Sequence, residues 1–225
     1  MRRHTPAAGA RGGKPRHHQT RQRILDVAER LFARRGLDAV SVRDITREAR
    51  ANLGAINYHF GTKRKLVLAV FDRRMTPLTQ ERFSALDALE KAAGDGAVRL
   101  ESLLEAMFRP AVLLALDKQG GGAVFARLMA RLMLEPNPGL EPFLRAHIEP
   151  VVRRFDAALM RAMPNLSAED VFWRMHLLIG ALHHSLLMMD KKLPNGRSLR
   201  LEPETYLRRF VAFAAAALRA PLPKA

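Results

Sequence analysis

Residues 41–60 read SVRDITREARANLGAINYHF. Ser41 with Asp44 three positions on is a variant of the capping box, with Asp in place of the usual Glu, and predicts a helix start. Val42, Ile45 and Ala49 fall on one side of that helix, which ends near Ala49. After a turn at Arg50 and Ala51, Asn52 is placed to cap a second short helix, Leu53 to His59, which Phe60-Gly61 closes. Two short helices joined by a tight turn describe a helix-turn-helix. At about 1.5 Å of rise per residue the second is roughly 10 Å long. That suffices to put one or two turns into a major groove about 12 Å wide. Gly54 and Ala55 have almost no side chain, so the backbone there can approach a duplex closely. Asn57, Tyr58 and His59 bring hydrogen-bonding groups without net charge.

The flanks extend the pattern. Before the motif, Ile24, Leu25, Ala28, Leu31 and Phe32 make an amphipathic stripe on a helix from about Arg21 to Arg35, stopped by Gly36. After it, Thr62 caps a longer helix from Lys63 to about Ala92, with a bend expected at Pro77. Thr62-Lys63-Arg64-Lys65 puts three cations at a helix N-terminus, a good phosphate site. Further helices are expected over about 97–118, with a kink at Pro110, and over 123–134. Others follow over 139–163 (interrupted by Pro150), 167–190 (a second Ser/Asp capping box) and 203–218, after a polar loop at 191–202. No strand-period alternation competes, so the fold class is all-α. It divides into a flexible basic arm (1–19), a helix-turn-helix part suited to DNA (20–66) and a C-terminal helical body (67–219), to which the resemblance described below assigns effector binding and dimerisation.

Charge follows the same division. The chain has 225 residues and a formal net charge of +16. Residues 1–23 hold 7 basic residues and no acid, 24–75 hold 11 basic and 6 acidic, and 76–225 hold 20 and 16. The excess therefore sits mostly in the first third, which points to an anionic partner for that part alone. Zero cysteines exclude disulfides, cysteine-ligated zinc or iron–sulfur sites and a cysteine nucleophile, and fit a cytoplasmic setting. No secretory h-region or membrane-length apolar run is present. No nucleophile, paired-carboxylate or phosphate-loop motif suggests an enzyme, and no cofactor motif is found. His176, His183 and His184 lack a helical chelate spacing with acidic neighbours, so no metal is expected.

The stretch from Ile24 to Val70, which includes ILDVAERLFARRGLDAVSVRDITREARANLGAINYHFGTKRKL, resembles the N-terminal domain of the tetracycline-repressor (TetR) family of bacterial transcription regulators. Its N-Y-H-F-G-T-K run is the specific part. The resemblance implies that Ser41 and Arg43 touch the DNA backbone or a base edge. It implies that Asn52, Leu53, Gly54 and Asn57 face the major groove, that Tyr58, His59 and Lys63 hold phosphates, and that Phe60 packs the helices together. Arg50 stands where the family usually has Gly, so that turn must accept a side chain. Asn57 stands where many members have Tyr. A branch that senses fatty acids or related acyl compounds is similar in its N-Y-H-F and in FWRMHLLIG, residues 172–180.

For the rest of the chain the resemblance implies a homodimer on a pseudo-palindromic operator and repression relieved by a small hydrophobic effector. The long helix after Thr62 would then be the lever. The residues agree. The 167–190 helix is apolar on nearly every side and so is expected to be covered all round, and Ala214–Ala217 give the last helix small residues for close approach. Methionine and phenylalanine abound over residues 100–190, which suits an adaptable apolar cavity, although plain core is the competing reading for each. The effector candidates are Met107, Phe125, Met129, Phe172, Met175 and Ile179, with Arg174 or His176 for an anionic head group such as that of a fatty acid. An ion pair with Asp170 at i, i+4 is the preferred alternative for Arg174. The rival class is a basic architectural protein that binds DNA without sequence preference, or one that binds a membrane surface.

Overall fold

The computed structural model describes residues 13–117, 119–134, 137–189 and 191–221. They form helices α1 (Gly13–Arg35), α2 (Val42–Glu48), α3 (Leu53–Phe60), α4 (Lys63–Ala93), α5 (Leu100–Leu116), α6 (Gly122–Leu134), α7 (Glu141–Ala162), α8 (Ala168–Met188) and α9 (Pro203–Arg219). The only extended pairing among them is an isolated bridge between Lys192 and Ser198. The all-α expectation is therefore correct. The chain divides into two compact units, residues 1–70 and 71–225.

In the first unit α1, α2 and α3 pack on one another. The stripe read from the sequence is the core: Ile24, Leu25, Ala28 and Phe32 of α1 are fully buried with Ile45, and Ile56 and Phe60 close it from α3. Gly36 has φ 85 and its N–H reaches the Phe32 carbonyl at 2.9 Å, the glycine-ended helix stop expected there. One expectation is corrected. The basic arm does not run flexibly to residue 19, because α1 begins at Gly13. Pro15 falls in its first turn, where a missing N–H costs no intrahelical bond. Residues 1–12 of that arm lie outside the described residues.

In the second unit α5 packs against α6, α7, α8 and α9. Leu103, Leu104, Phe108, Phe155, Leu178 and Phe210 are among its buried side chains. Phe108 meets Phe210 edge to face at 5.1 Å, and the Tyr206 hydroxyl lies 2.6 Å from Ser185 Oγ. α7 runs unbroken through Pro150, against expectation. Val151, Phe155 and Leu159 bury its inner face in the turns that follow, and that packing outweighs the lost hydrogen bond.

The expectation that α8 is buried on every side also fails within the protomer. Val171, Met175, Leu178 and Leu182 face inward, while Phe172, Trp173 and Leu177 are exposed, Leu177 by 67%. On α9, Ala214 and Ala215 belong to the protomer's own core, and Phe213 and Ala216 face out. Among the described residues no helix is long and apolar enough to cross a membrane.

Candidate nucleic-acid interface and effector cavity

The helix-turn-helix is built on two caps. Ser41 Oγ accepts the Asp44 N–H at 3.1 Å, and the Asp44 carboxylate accepts the Ser41 N–H at 3.0 Å and its hydroxyl at 2.7 Å. Arg47 adds an ion pair to Asp44 at 2.8 Å and Arg35 approaches to 3.7 Å. The Ser41 hydroxyl, the Ser41 N–H and then the two arginines hold the Asp44 carboxyl far below the usual carboxylate range. At the second cap, Asn52 Oδ1 accepts the Ala55 N–H at 2.7 Å. Between them Ala51 N–H bonds the Thr46 carbonyl at 2.9 Å, and Arg50 takes φ 48. That is the left-handed region, so the side chain in place of glycine is accommodated with backbone strain.

These caps fix which residues face outward. α3 buries Ile56 and Phe60, one turn apart, and Arg21 lies over the Phe60 ring at 5.4 Å. The opposite side exposes Leu53 (51%), Gly54, Asn57 and Tyr58 (76%). An aromatic ring that exposed is not a packing residue. Asn57 has no side-chain partner among the described residues, so its amide is free to bond a ligand in both senses. Asn52 and Ser41 are exposed as well, but their side-chain oxygens are already engaged in the caps, which limits what they can offer a duplex. Arg43 is exposed on the first turn of α2 and has no ion pair among the described residues. His59 is half-buried, its ring 5.0 Å from Tyr58. Lys63, half-buried, is the first residue of α4, capped by Thr62, whose hydroxyl accepts the Lys65 N–H at 3.2 Å. Of the nine residues expected to touch DNA, seven lie on α2, α3 and the start of α4, and Ser41 and Asn52 are the N-caps of α2 and α3.

The second unit holds a cavity of about 250 Å³ between α4, α5, α6, α7 and α8. Four of the expected effector residues line it: Met107, Phe125, Met129 and Ile179. The other four do not. Phe172 and His176 are exposed on the outer side of α8 and stack on each other, their centroids 6.1 Å apart. Met175 is core, 4% exposed. Arg174 neither enters the cavity nor bonds Asp170, whose carboxylate is taken by Ser167 in its own capping box. Instead its Nη1 donates to the carbonyls of Ala217 and Leu218 at 2.9 and 2.7 Å, closing the end of α9.

The polar groups in the cavity wall are others: Thr79, Arg82, His147 and His183. Arg82 Nε donates to the Met107 carbonyl at 2.8 Å. Burial pushes the guanidinium down to about 10, opposed by Glu81, so it stays charged at neutral pH. His183 Nδ1 lies 2.8 Å from the Ile179 carbonyl. Burial, and then the Arg82 charge, lower its pKa against the pull of that bond, so the ring is neutral at pH 7. His147 is engaged by the Phe143 carbonyl and Asp72. A wider recess of about 680 Å³ shares Ala115, Ala126 and Leu186 with the cavity and carries Arg127, Lys191 and Arg200 beside Asp117 and Glu202. Among the described residues no three histidines or acids gather as a metal site.

A three-helix unit with a capped, outward-facing helix-turn-helix defines a class of DNA-binding proteins. The family follows from two model matches: residues 24–70 match the tetR family of bacterial regulatory proteins, and residues 105–217 match the tetracyclin repressor-like C-terminal domain. The chain belongs to this family of regulators, not to a family of enzymes. The HTH-type transcriptional repressor Rv3405c of Mycobacterium tuberculosis is 42% identical over 85 residues, 36% of this chain and 45% of that protein. The chain thus spans less than half the length of that curated relative. Among solved structures, the ketosteroid transcriptional regulator KstR2 of Mycobacterium tuberculosis superposes with TM-score 0.61 at 17% identity, over 90% of this chain and 94% of that one. The probable transcriptional regulatory protein RHA5900 gives 0.62 at 19% identity, over 89% and 100%.

Proposed function

We propose that the protein is a homodimeric, ligand-responsive repressor that binds a pseudo-palindromic operator through α3 and leaves it when a small hydrophobic effector fills the cavity. The observation that carries the reading is the outward face of α3, where Leu53, Gly54, Asn57 and Tyr58 stand exposed on a rigidly capped helix. Asn57 supplies base discrimination through an adenine edge. Arg43, Tyr58, His59 and Lys63 hold phosphates, and Ser41 and Asn52 position the two helices through their caps.

The exposed stripe Phe172, Trp173 and Leu177 with Phe213 of α9 supports an α8–α9 dimer interface, since such a patch on a free monomer would be costly. A dimer presents two recognition helices to half-sites one helical turn or a related spacing apart. The lining of methionine, phenylalanine and aliphatic side chains supports an apolar effector, and we assign it to acyl compounds, fatty acids or their thioesters. Such a ligand shifts the protein away from DNA only by its differential affinity for the two states; α4, continuous across residues 63–93, is the lever. Titrating a fluorescent operator–protein complex with acyl compounds of increasing length tests this. Release that depends on chain length is expected. No release by any acyl compound, together with release by a cationic dye, would refute the effector class.

A further inference from the structure

Among the described residues, Arg82 is the one charged side chain in the wall of the 250 Å³ cavity, and none of them puts a carboxylate there. Its Nε is taken by the Met107 carbonyl, which fixes the plane of the guanidinium. The two Nη groups have no ion-pair partner among the described residues. Glu81, the neighbour that acts on it electrostatically, is itself exposed. A largely buried guanidinium cannot shed its proton and is costly without a counter-anion. Thr79, one turn earlier on the same face of α4, adds a hydroxyl to that wall. The remainder is apolar: Met107, Phe125, Met129, Ile148 and Val152 are examples.

We propose that Arg82 receives the carboxylate of a free, medium-chain monocarboxylic acid whose alkyl chain lies against the methionine and phenylalanine wall. The proposal rests on the reading of this cavity as the effector site and names what it takes. The geometry gives the head group its place: Nε is committed to Met107, so the carboxylate meets the Nη edge, with the Thr79 hydroxyl as a second donor. Size gives the tail its length. At roughly 20–30 Å³ per non-hydrogen atom, the cavity holds on the order of ten such atoms. That accommodates an acid of about eight carbons. The head-group role therefore moves from Arg174 and His176 to Arg82.

Calorimetric titration of the purified full chain without DNA tests it, with octanoate, octan-1-ol, octylamine and octanoyl-coenzyme A. Octanoate should bind at least tenfold more tightly than the alcohol, and the amine weakest. Arg82→Gln should erase the advantage of octanoate over octanol, and Arg82→Lys should keep part of it. Equal binding of acid and alcohol to the wild type would overturn the proposal. So would octanoate affinity within twofold in a folded Arg82→Gln protein, checked by circular dichroism. If the thioester bound tenfold more tightly than the acid, the head would belong in the wider recess beside Arg127, Lys191 and Arg200, and the proposal would fall. The wild-type series decides alone if the Gln variant does not fold. Octanoate binding that leaves an operator complex intact would sink the release mechanism and spare this site. Operator release by octanol alone would do the reverse.

Discussion

Lys63→Ala isolates the electrostatic part of the DNA interaction. Lys63 begins α4, is half-buried, and has no carboxylate partner among the described residues, so its loss should alter stability by no more than about 0.5 kcal/mol. On a duplex each neutralised phosphate contributes about 0.9 to the slope of log K against log salt. A dimer carries two copies, so the variant should flatten the slope by about 1.8. Taking 1 M salt as the point where the two proteins converge, the loss is about 60-fold at 0.1 M and about ninefold at 0.3 M. Fluorescence anisotropy with an operator and with a random duplex, each across a salt series, reads this directly. Both DNAs should show the same loss. An unchanged slope, or a loss confined to the operator, would refute the phosphate role.

Three further outcomes are expected. Asn57→Ala should cost roughly 1–3 kcal/mol on the operator and little on random DNA; equal loss on both would move Asn57 to the phosphate class. Leu177→Arg should convert the dimer to a folded monomer at micromolar concentration in sedimentation velocity, because Leu177 is 67% exposed on the α8 stripe; a wild-type protein that is already monomeric would sink the interface. Arg50→Gly should raise thermal stability by about 0.5–1 kcal/mol, the net of relieving a left-handed side chain (roughly 1–2 kcal/mol) and adding freedom to the unfolded chain; a lower melting temperature would show that the Arg50 side chain does more than tolerate φ 48.

What was legible in the sequence was what is local. Ser41/Asp44, Asn52 and Gly36 announced helix ends through contacts within four residues, and each is made as expected. The outward face of α3 came from the family resemblance, and the one-turn spacing of the buried Ile56 and Phe60 is consistent with it. Side chains whose partners lie far along the chain were not legible. Arg174 and Asp170 have the spacing of an ion pair, but Ser167 claims the aspartate and the arginine reaches carbonyls 43 and 44 residues away. Arg82 is not legible as a cavity residue from local spacing to its partner, because that partner, Met107, lies 25 residues on. A signal was present nonetheless: Met75, Leu78, Thr79 and Arg82 follow the i, i+3, i+4, i+7 spacing of an inward stripe, with a cation at its end. Which side of α8 the same chain covers and which is left for the expected second copy was not legible, because a helix apolar all round reads alike in both cases.

The central claim is that α3 reads base sequence. Selection of bound duplexes from a random pool, followed by footprinting of the enriched DNA with the full chain at physiological salt, tests it most directly. The account predicts an enriched pseudo-palindrome, protected over two half-sites centred about one helical turn or a related spacing apart, bound at least about a thousandfold more tightly than random DNA. A pool that stays random after selection, bound with an affinity that salt alone governs, would contradict it.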